Sequence, residues 1–516
     1  MKDTRRDFIK KSGTCALGMV AMATQMQHLG AMSAMAQKVF DKQKELEGSD
    51  APDVGYKALV LLFFAGGNDG NNMIIPNHSD ANISNYAAYS AARSTQGLAL
   101  PQASLLPISV PRLGNLTYGL HPNLGPPATM IPATTVNGTT ILNNGIHELW
   151  GLGKLAAVTN VGTLVRPLTK AQYQNAAFQK PYQLFSHSDQ VTQYQTSNSS
   201  TQASIGWGGR VSDNMTSSNN PGGLIPMITS ISGSQIFTAG QTTLPLAIAD
   251  AGTPLANVLN PAGFTGTGGP ARLTAFNSLR TQDLSSSYIA TASHITDLAM
   301  AANTALASAQ DVTTVFPATS LGRQLKQVAR LIKDSSALSV TRQVFYVQLG
   351  GFDTHTNQLA LNNSQNSNLI QVGQALRSFW DELGVQGMQN NVTTFTMSDF
   401  SRTLNPAQSG ASVGSDHAWG NHHFVMGGSV IGGDFYGSLR PDGTGNYFPT
   451  LTLGGLDDVD SGAAPRGRWL PTTSVDQYAA ALSKWYGLPQ DAPTLAQVFP
   501  NLTNFNAGFT QLNFLP

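Results

Sequence analysis

Carboxylate and imidazole side chains recur in this chain at positions where they could share a cation. Asp69 closes the run Gly66, Gly67, Asn68; Asp353 stands two residues before His355; Asp399 stands three before Arg402; and Asp416 is followed by His417, His422 and His423. With 10 histidines in 516 residues, three within seven positions call for a cause. Metal binding supplies one, because carboxylate oxygen and neutral imidazole nitrogen form the donor set that Zn or Mn takes, while Ca takes the oxygens. Two such ions about 4 Å apart would stabilise both the attacking and the leaving oxygen of an ester hydrolysis. Ser186, in the polar knot Phe185, Ser186, His187, Ser188, Asp189, Gln190, is the candidate nucleophile. A serine hydroxyl attacks once a base or a metal ion lowers its pKa. The same serine reads equally as the cap of a helix holding Val191 and Tyr194, and a helix N-terminus offers free N–H groups to an oxyanion. Arg402 could grip an anionic substrate with two parallel contacts, or could pair with Asp399. The plainer reading makes Asp69 and Asp353 turn or cap residues and the histidines ordinary loop residues. It suits each motif alone, and the coincidence of all four favours metal.

For these groups to meet, the segments before them must be neighbouring strands. Four apolar runs, 58–64, 155–161, 343–349 and 392–397, each end in a polar loop, as buried parallel strands do. Asp69, Asp353 with His355, and Asp399 follow three of them. Ligands bind outside the carboxyl ends of such strands, where loops converge. The Asp416 to His423 cluster instead precedes the apolar run 424–426, at the start of a strand. Helical stripes at 321–332 and 369–383 alternate with the strands, and a last helix spans 475–486. The expected fold is therefore α/β, a mostly parallel central sheet with helices on both faces. It occupies one domain, 56–505, with loop-rich insertions near 212–275 and 404–470 and a tail at 506–516. His121 reads as a turn residue, Trp207 as packed beneath a loop, and 472–478 as a helix start.

The N-terminus carries a different message. Arg5 and Arg6, followed by Phe8 and Lys10, form a twin-arginine export signal, and the weakly apolar stretch 15–26 is too short and interrupted to span a bilayer. Ala34, Met35, Ala36 has the form of a cleavage site, which makes 1–36 a signal peptide and 37–55 a linker. The twin-arginine translocase is thus the expected export partner, the location periplasmic or secreted, and a stable membrane anchor is not expected. Cys15 is the one cysteine and lies in the leader, so metal in the mature chain must be held by Asp, Glu, His or backbone oxygen. Residues 1–36 hold five of the 29 basic and two of the 29 acidic residues, leaving 24 against 27. A net charge of −3 gives no basis for nucleic-acid binding, which needs a clustered basic surface.

The segments FAGGNDGN (64–71), GGFDTH (350–355), TMSDFSRT (396–403) and SDHAWGNHHFVMGG (415–428) resemble the twin-arginine-exported family called domain of unknown function 1501, across about 55 to 505. That family in turn resembles a remote branch of the alkaline phosphatase and sulfatase superfamily. The resemblance implies an alkaline phosphatase-like fold and one or two divalent ions, Zn, Mn or Ca. It implies Asp69 as ligand of the ion that activates the nucleophile, with Ser186 as that nucleophile. Asp353, His355 and His417 match the ligands of a second ion. Asp399 matches a further ligand, but Phe400 stands where the superfamily places a histidine, and the interval from Asp353 to His355 is short. Asp416, His422 or His423 would fill the gap. Two functions follow: a metal-dependent hydrolase of phosphate or sulfate esters, on small molecules or polysaccharides, or a non-catalytic binding or assembly protein whose metal site has degenerated.

Overall fold

The stretch KALVLLFF is apolar after its first residue, and all seven following side chains are buried, as befits a strand covered on both faces. The structure, a computed structural model, describes residues 55–126, 134–136, 139–141, 145–259, 264, 266–406, 409–410, 412–505 and 512–516. The expected leader, nearly all of the linker and the first part of the tail lie outside the described residues.

The central sheet contains β1 (Lys57–Phe64), β2 (Leu155–Gly162), β3 (Ile228–Ser230), β4 (Leu246–Ala247), β5 (Arg342–Leu349), β6 (Val392–Ser398), β7 (Asn421–Gly427), β8 (Phe435–Tyr436) and β9 (Thr473–Ser474). The order is β8, β2, β7, β6, β1, β5, β3, β4, with β9 also on β2. Strand β1 pairs in parallel with β5, Lys57 opposite Arg342, and with β6, Ala58 opposite Val392. Strand β7 runs antiparallel to both β6 and β2. Its start therefore lies at the rim where β1, β2, β5 and β6 end.

The helices used below are α1 (Tyr86–Arg93), α2 (His187–Thr196), α3 (Trp207–Asn219), α4 (Ser320–Lys333), α5 (Gln365–Val385) and α6 (Val475–Tyr486). Caps set their limits. Thr319 accepts the Gly322 N–H ahead of α4, and capping boxes built on Ser364 and Ser474 open α5 and α6. Strand alternation then divides the core. Val60, Leu62 and Phe64 of β1 join a cluster with Leu325 and Val328 of α4 and Val372 and Phe379 of α5. Leu59, Leu61 and Phe63 join another with Tyr194 of α2, Trp207 of α3 and Tyr478 of α6. Each fully buried side chain of this kind contributes about 1.5–3 kcal/mol, so the sheet is held from both faces.

These elements match the expected α/β architecture, and the four leading strands differ by a residue or less at either end. The stretch 212–275 differs more. Residues 212–219 continue α3, and β3 and β4 extend the sheet in parallel beyond β5. Their short length hid them, since three residues show no periodicity. His121 is a buried cap whose Nδ1 accepts the Asn123 N–H. Trp207 is fully buried beside Phe237 and Phe395. Among the described residues no helix is long and apolar enough to cross a membrane.

Candidate metal centre

Beyond β1 the chain turns at Gly66 (φ 113°) and Gly67 (φ 79°), where a side chain is excluded by space as well as by conformation. A Cβ on Gly66 would sit 2.5 Å from the Asp353 nitrogen, and one on Gly67 would sit 2.5 Å from the Phe400 ring. The loops after β1, β5 and β6 are thereby pressed together. Phe185, just before α2, also has φ 69°, costing about 1 kcal/mol for a bulky residue. The Gln190 side chain accepts its N–H at 2.6 Å and offsets part of that cost.

Three imidazoles and one carboxylate meet where these loops join. His187 Nδ1 lies 2.7 Å from Asp399 Oδ2, His417 Nδ1 lies 2.8 Å from the Phe185 carbonyl, and His355 Nδ1 lies 3.0 Å from Asp416 Oδ1. Carbonyl and carboxylate oxygens only accept, so in each ring Nδ1 carries the proton and, in the neutral form, Nε2 keeps a lone pair. Those Nε2 atoms converge. They lie 3.4 Å (His187), 3.2 Å (His355) and 3.6 Å (His417) from Asp353 Oδ1, and His355 and His417 Nε2 are 3.0 Å apart. His187 Nε2 is buried without a hydrogen-bond partner. Four acceptors facing one point repel one another unless a cation or an added proton lies between them. The ligand atoms of His187, Asp353 and His417 all fall within 4.8 Å of one another, close enough to bind one ion.

The surroundings orient these ligands. Both oxygens of Asp399 accept the Gly66 N–H, at 3.1 and 3.2 Å, which fixes the carboxylate that in turn holds His187. That hydrogen bond raises the His187 pKa above its ordinary value, against the opposing effect of burial. Burial lowers that of His417, and the nearby Arg402, His187 and His355 add to the effect, although its bond to the Phe185 carbonyl works the other way. For Asp353, burial pushes upward, but Arg402 and then His187 and His355 outweigh it and hold the carboxyl below the usual range. Asp416 is held down in the same manner by Arg466 and His355 against burial. The buried Phe400 ring forms the floor, 4.7 Å from the His187 ring and 4.6 Å from that of His417. Asp353 pairs with Arg402 and Asp416 with Arg466, while Asp399 is bonded to His187, leaving one net negative charge when the imidazoles are neutral.

Several expected site residues stand elsewhere. Asp69 is fully buried, with Arg93 at 2.6 and 3.1 Å, the Gln358 amide at 2.6 Å and the Asn71 N–H at 3.0 Å. Both its oxygens are committed, so the expectation that Asp69 binds an ion is corrected. His422 and His423 are adjacent in β7 and therefore point to opposite faces. His422 stacks on Phe448 and accepts the Asn160 N–H, while His423 lies against Tyr194 and Tyr478. Burial pushes both down to about 3, and the expected ligand role of His422 is likewise corrected. Arg402 is fully buried and donates to the carbonyls of Gly66, Gly67, Phe352 and Ser415 as well as to Asp353. It cannot reach a substrate, which corrects that role too. Asp399 and Asp416 form an outer layer of acceptors. Ser186 occupies the cap position of α2, and its hydroxyl donates to Asp189 Oδ2 at 2.6 Å.

His187 was absent from the expected ligands. The sequence held one signal for it: His187 stands next to Ser186 in the polar knot 185–190.

The fold and site together define an α/β protein with a rim cluster of histidine and aspartate whose ligand atoms lie close enough to share a cation. The chain matches, over residues 56–447, the family described as "Protein of unknown function (DUF1501)", and it belongs to that family. No curated protein matches it. Among solved structures it is similar to the crystal structure of Ps i-CgsB in complex with k-i-k-neocarrahexaose, with 7% identity over 88% of this chain and 77% of that one, at a TM-score of 0.32. It is also similar to a mutant of the alkaline phosphatase PafA, with 10% identity over 68% of this chain and 64% of that one, at a TM-score of 0.23. Both scores are too low for the likeness to speak to activity.

Proposed function

We propose that this protein is a metal-dependent hydrolase of phosphate or sulfate esters, exported in folded form by the twin-arginine pathway. The observation that carries the reading is the convergence of three Nε2 atoms on Asp353, each ring oriented by an acceptor behind it. His187, Asp353 and His417 would hold the ion, with His355 alongside. Two imidazoles and a carboxylate suit Zn or Mn better than Ca, and suit ferrous iron as well. When bound, such an ion supplies a Lewis acid for a phosphoryl or sulfuryl oxygen.

The chain's own groups would do the rest. Asp399 keeps His187 in the tautomer that presents Nε2, and the Phe185 carbonyl does the same for His417. Ser186 is the proposed nucleophile, with Asp189 in contact to take its proton. The first N–H groups of α2 face the same turn and would hold the anionic oxygens of the ester.

A second reading, a binding protein with a degenerate metal site, is favoured by the Arg402 contact, which places a positive charge on the candidate ligand Asp353. Elemental analysis of the natively exported protein for Zn, Mn, Fe and Ca separates the two. One equivalent of a transition metal supports the hydrolase, and a near-zero content supports the binding protein. On aryl phosphate and aryl sulfate panels, Asp353→Ala should lose both metal and turnover while keeping its circular dichroism. Retained turnover would remove Asp353 from the mechanism. Ser186→Ala should keep the metal and lose turnover, and an unchanged rate would assign the attack to water.

A further inference from the structure

The loop wall beside this centre, residues 164–186, contains Arg166, Lys170 and Lys180 but no aspartate or glutamate, in a chain whose basic and acidic residues are equal in number. Tyr173, Phe178 and Phe185 of this wall pack on one apolar cluster with Trp419 and Leu470. Each of these rings carries a cation: Lys180 lies 5.3 Å over Tyr173, Arg166 lies 5.7 Å over Phe178, and Arg468 lies 5.3 Å over Phe185. The wall is tied to the candidate centre at two points. The Phe185 carbonyl accepts from His417 Nδ1, and Arg468 Nε donates to the His417 carbonyl at 3.0 Å.

The counter-charges are unevenly shared. Arg468 pairs with Asp460 and Arg466 with Asp416, while the Lys170 ammonium is wrapped by the carbonyls of Gly454, Gly455 and Asp460. Arg166 and Lys180, among the described residues, have a ring face each but no carboxylate and no hydrogen-bond acceptor. An aromatic face holds a cation in place without neutralising it or occupying its N–H groups. Both side chains are thus positioned and charged, with donors free for an anion. The small negative charge of the whole chain does not oppose this, because fields at the surface act over about 8 Å at physiological salt.

We propose that this wall is a second anion subsite, and that the substrate carries, besides the ester group cleaved, at least one further anionic group on the same scaffold. The substrate class is a multiply sulfated or phosphorylated compound. The link to cleavage rests on the hydrolase reading; the binding of an anion by the wall does not.

The test uses the full exported protein and a fluorescent short dextran sulfate, with unsulfated dextran as control, read by anisotropy at low salt. The double variant Arg166→Gln, Lys180→Gln should bind the sulfated probe about tenfold more weakly, the loss expected for two charge-assisted contacts at an exposed site. Its metal content and its turnover of a plain aryl phosphate should equal those of the wild type. Equal affinity of the two proteins for dextran sulfate, or equal binding of unsulfated dextran, overturns the subsite. If no ester is turned over but the tenfold difference remains, the hydrolase reading fails and the subsite stands. If turnover is intact and the difference is absent, the subsite fails and the hydrolase reading stands.

Discussion

Lowering the pH from 7 to 5 should destabilise this fold by roughly 4 kcal/mol, through histidines that have no way to accept a proton where they are buried. His121, His422 and His423 are fully buried, and burial pushes each down to about 3. In the unfolded chain each titrates near 6.5. A group with a depressed folded pKa contributes stability that is complete above the unfolded value and is lost as the pH falls toward the folded one. Between pH 7 and 5 the unfolded chain takes up these protons and the folded chain does not, which costs about 2 kcal/mol per histidine and roughly 6 in all. Asp476 opposes this. Burial raises its carboxyl to about 7, so the folded state takes up a proton first and gains roughly 2 kcal/mol over the same range. His187, also raised, acts in the same direction as Asp476. The net loss is a large part of the 5–15 kcal/mol that typically holds a domain together. Urea unfolding followed by tryptophan fluorescence at the two pH values measures it. His423→Phe, which keeps a ring between Tyr194 and Tyr478, should narrow the difference between pH 7 and pH 5 by about 2 kcal/mol. Equal or greater stability at pH 5, or an unchanged difference in the variant, would refute the reasoning.

Other outcomes follow from the same contacts. Asp399→Asn removes the anion behind His187 and should weaken metal binding about 10- to 100-fold, read by competition with a chromogenic chelator, with little change in fold. Arg93→Met leaves Asp69 buried and uncompensated and should cost about 3–5 kcal/mol in urea unfolding, whereas Asp69→Asn should leave metal content unchanged. Replacing Arg5 and Arg6 together by lysine should stop export, seen as loss of the protein with an N-terminus near Gln37 from the periplasmic fraction.

The long elements were legible because their patterns are strong. Strand β1 is a continuous apolar run after Lys57, β5 has Val344 to Val347 at its centre, and α4 buries one stripe of Leu321, Leu325, Val328 and Ile332. The short outer strands β3, β4 and β8, at two or three residues, carry no such signal and exist because neighbouring strands offer them free backbone groups. That Asp353, His355 and His417 come together at one rim was readable from their type and position. Asp69 followed the same rule and failed it, because Arg93 arrives on α1 and claims the carboxylate. His422 failed for a local reason: once 421–427 is a strand, its neighbours alternate between two cores.

By itself, the sequence determined where the long strands and helices lie, that acidic and imidazole groups follow the strands, and that any metal in the mature chain must be held without thiolate. The tertiary structure decided which of those groups meet. Reversal of β7 brings His417 to the rim where β1, β5 and β6 end, and α2 delivers His187 to the carboxylate of Asp399. The reason is physical: periodicity reports the face a side chain turns toward, whereas coordination depends on distances of a few ångströms between groups as much as 230 residues apart, set by strand order and by which counter-charge arrives first.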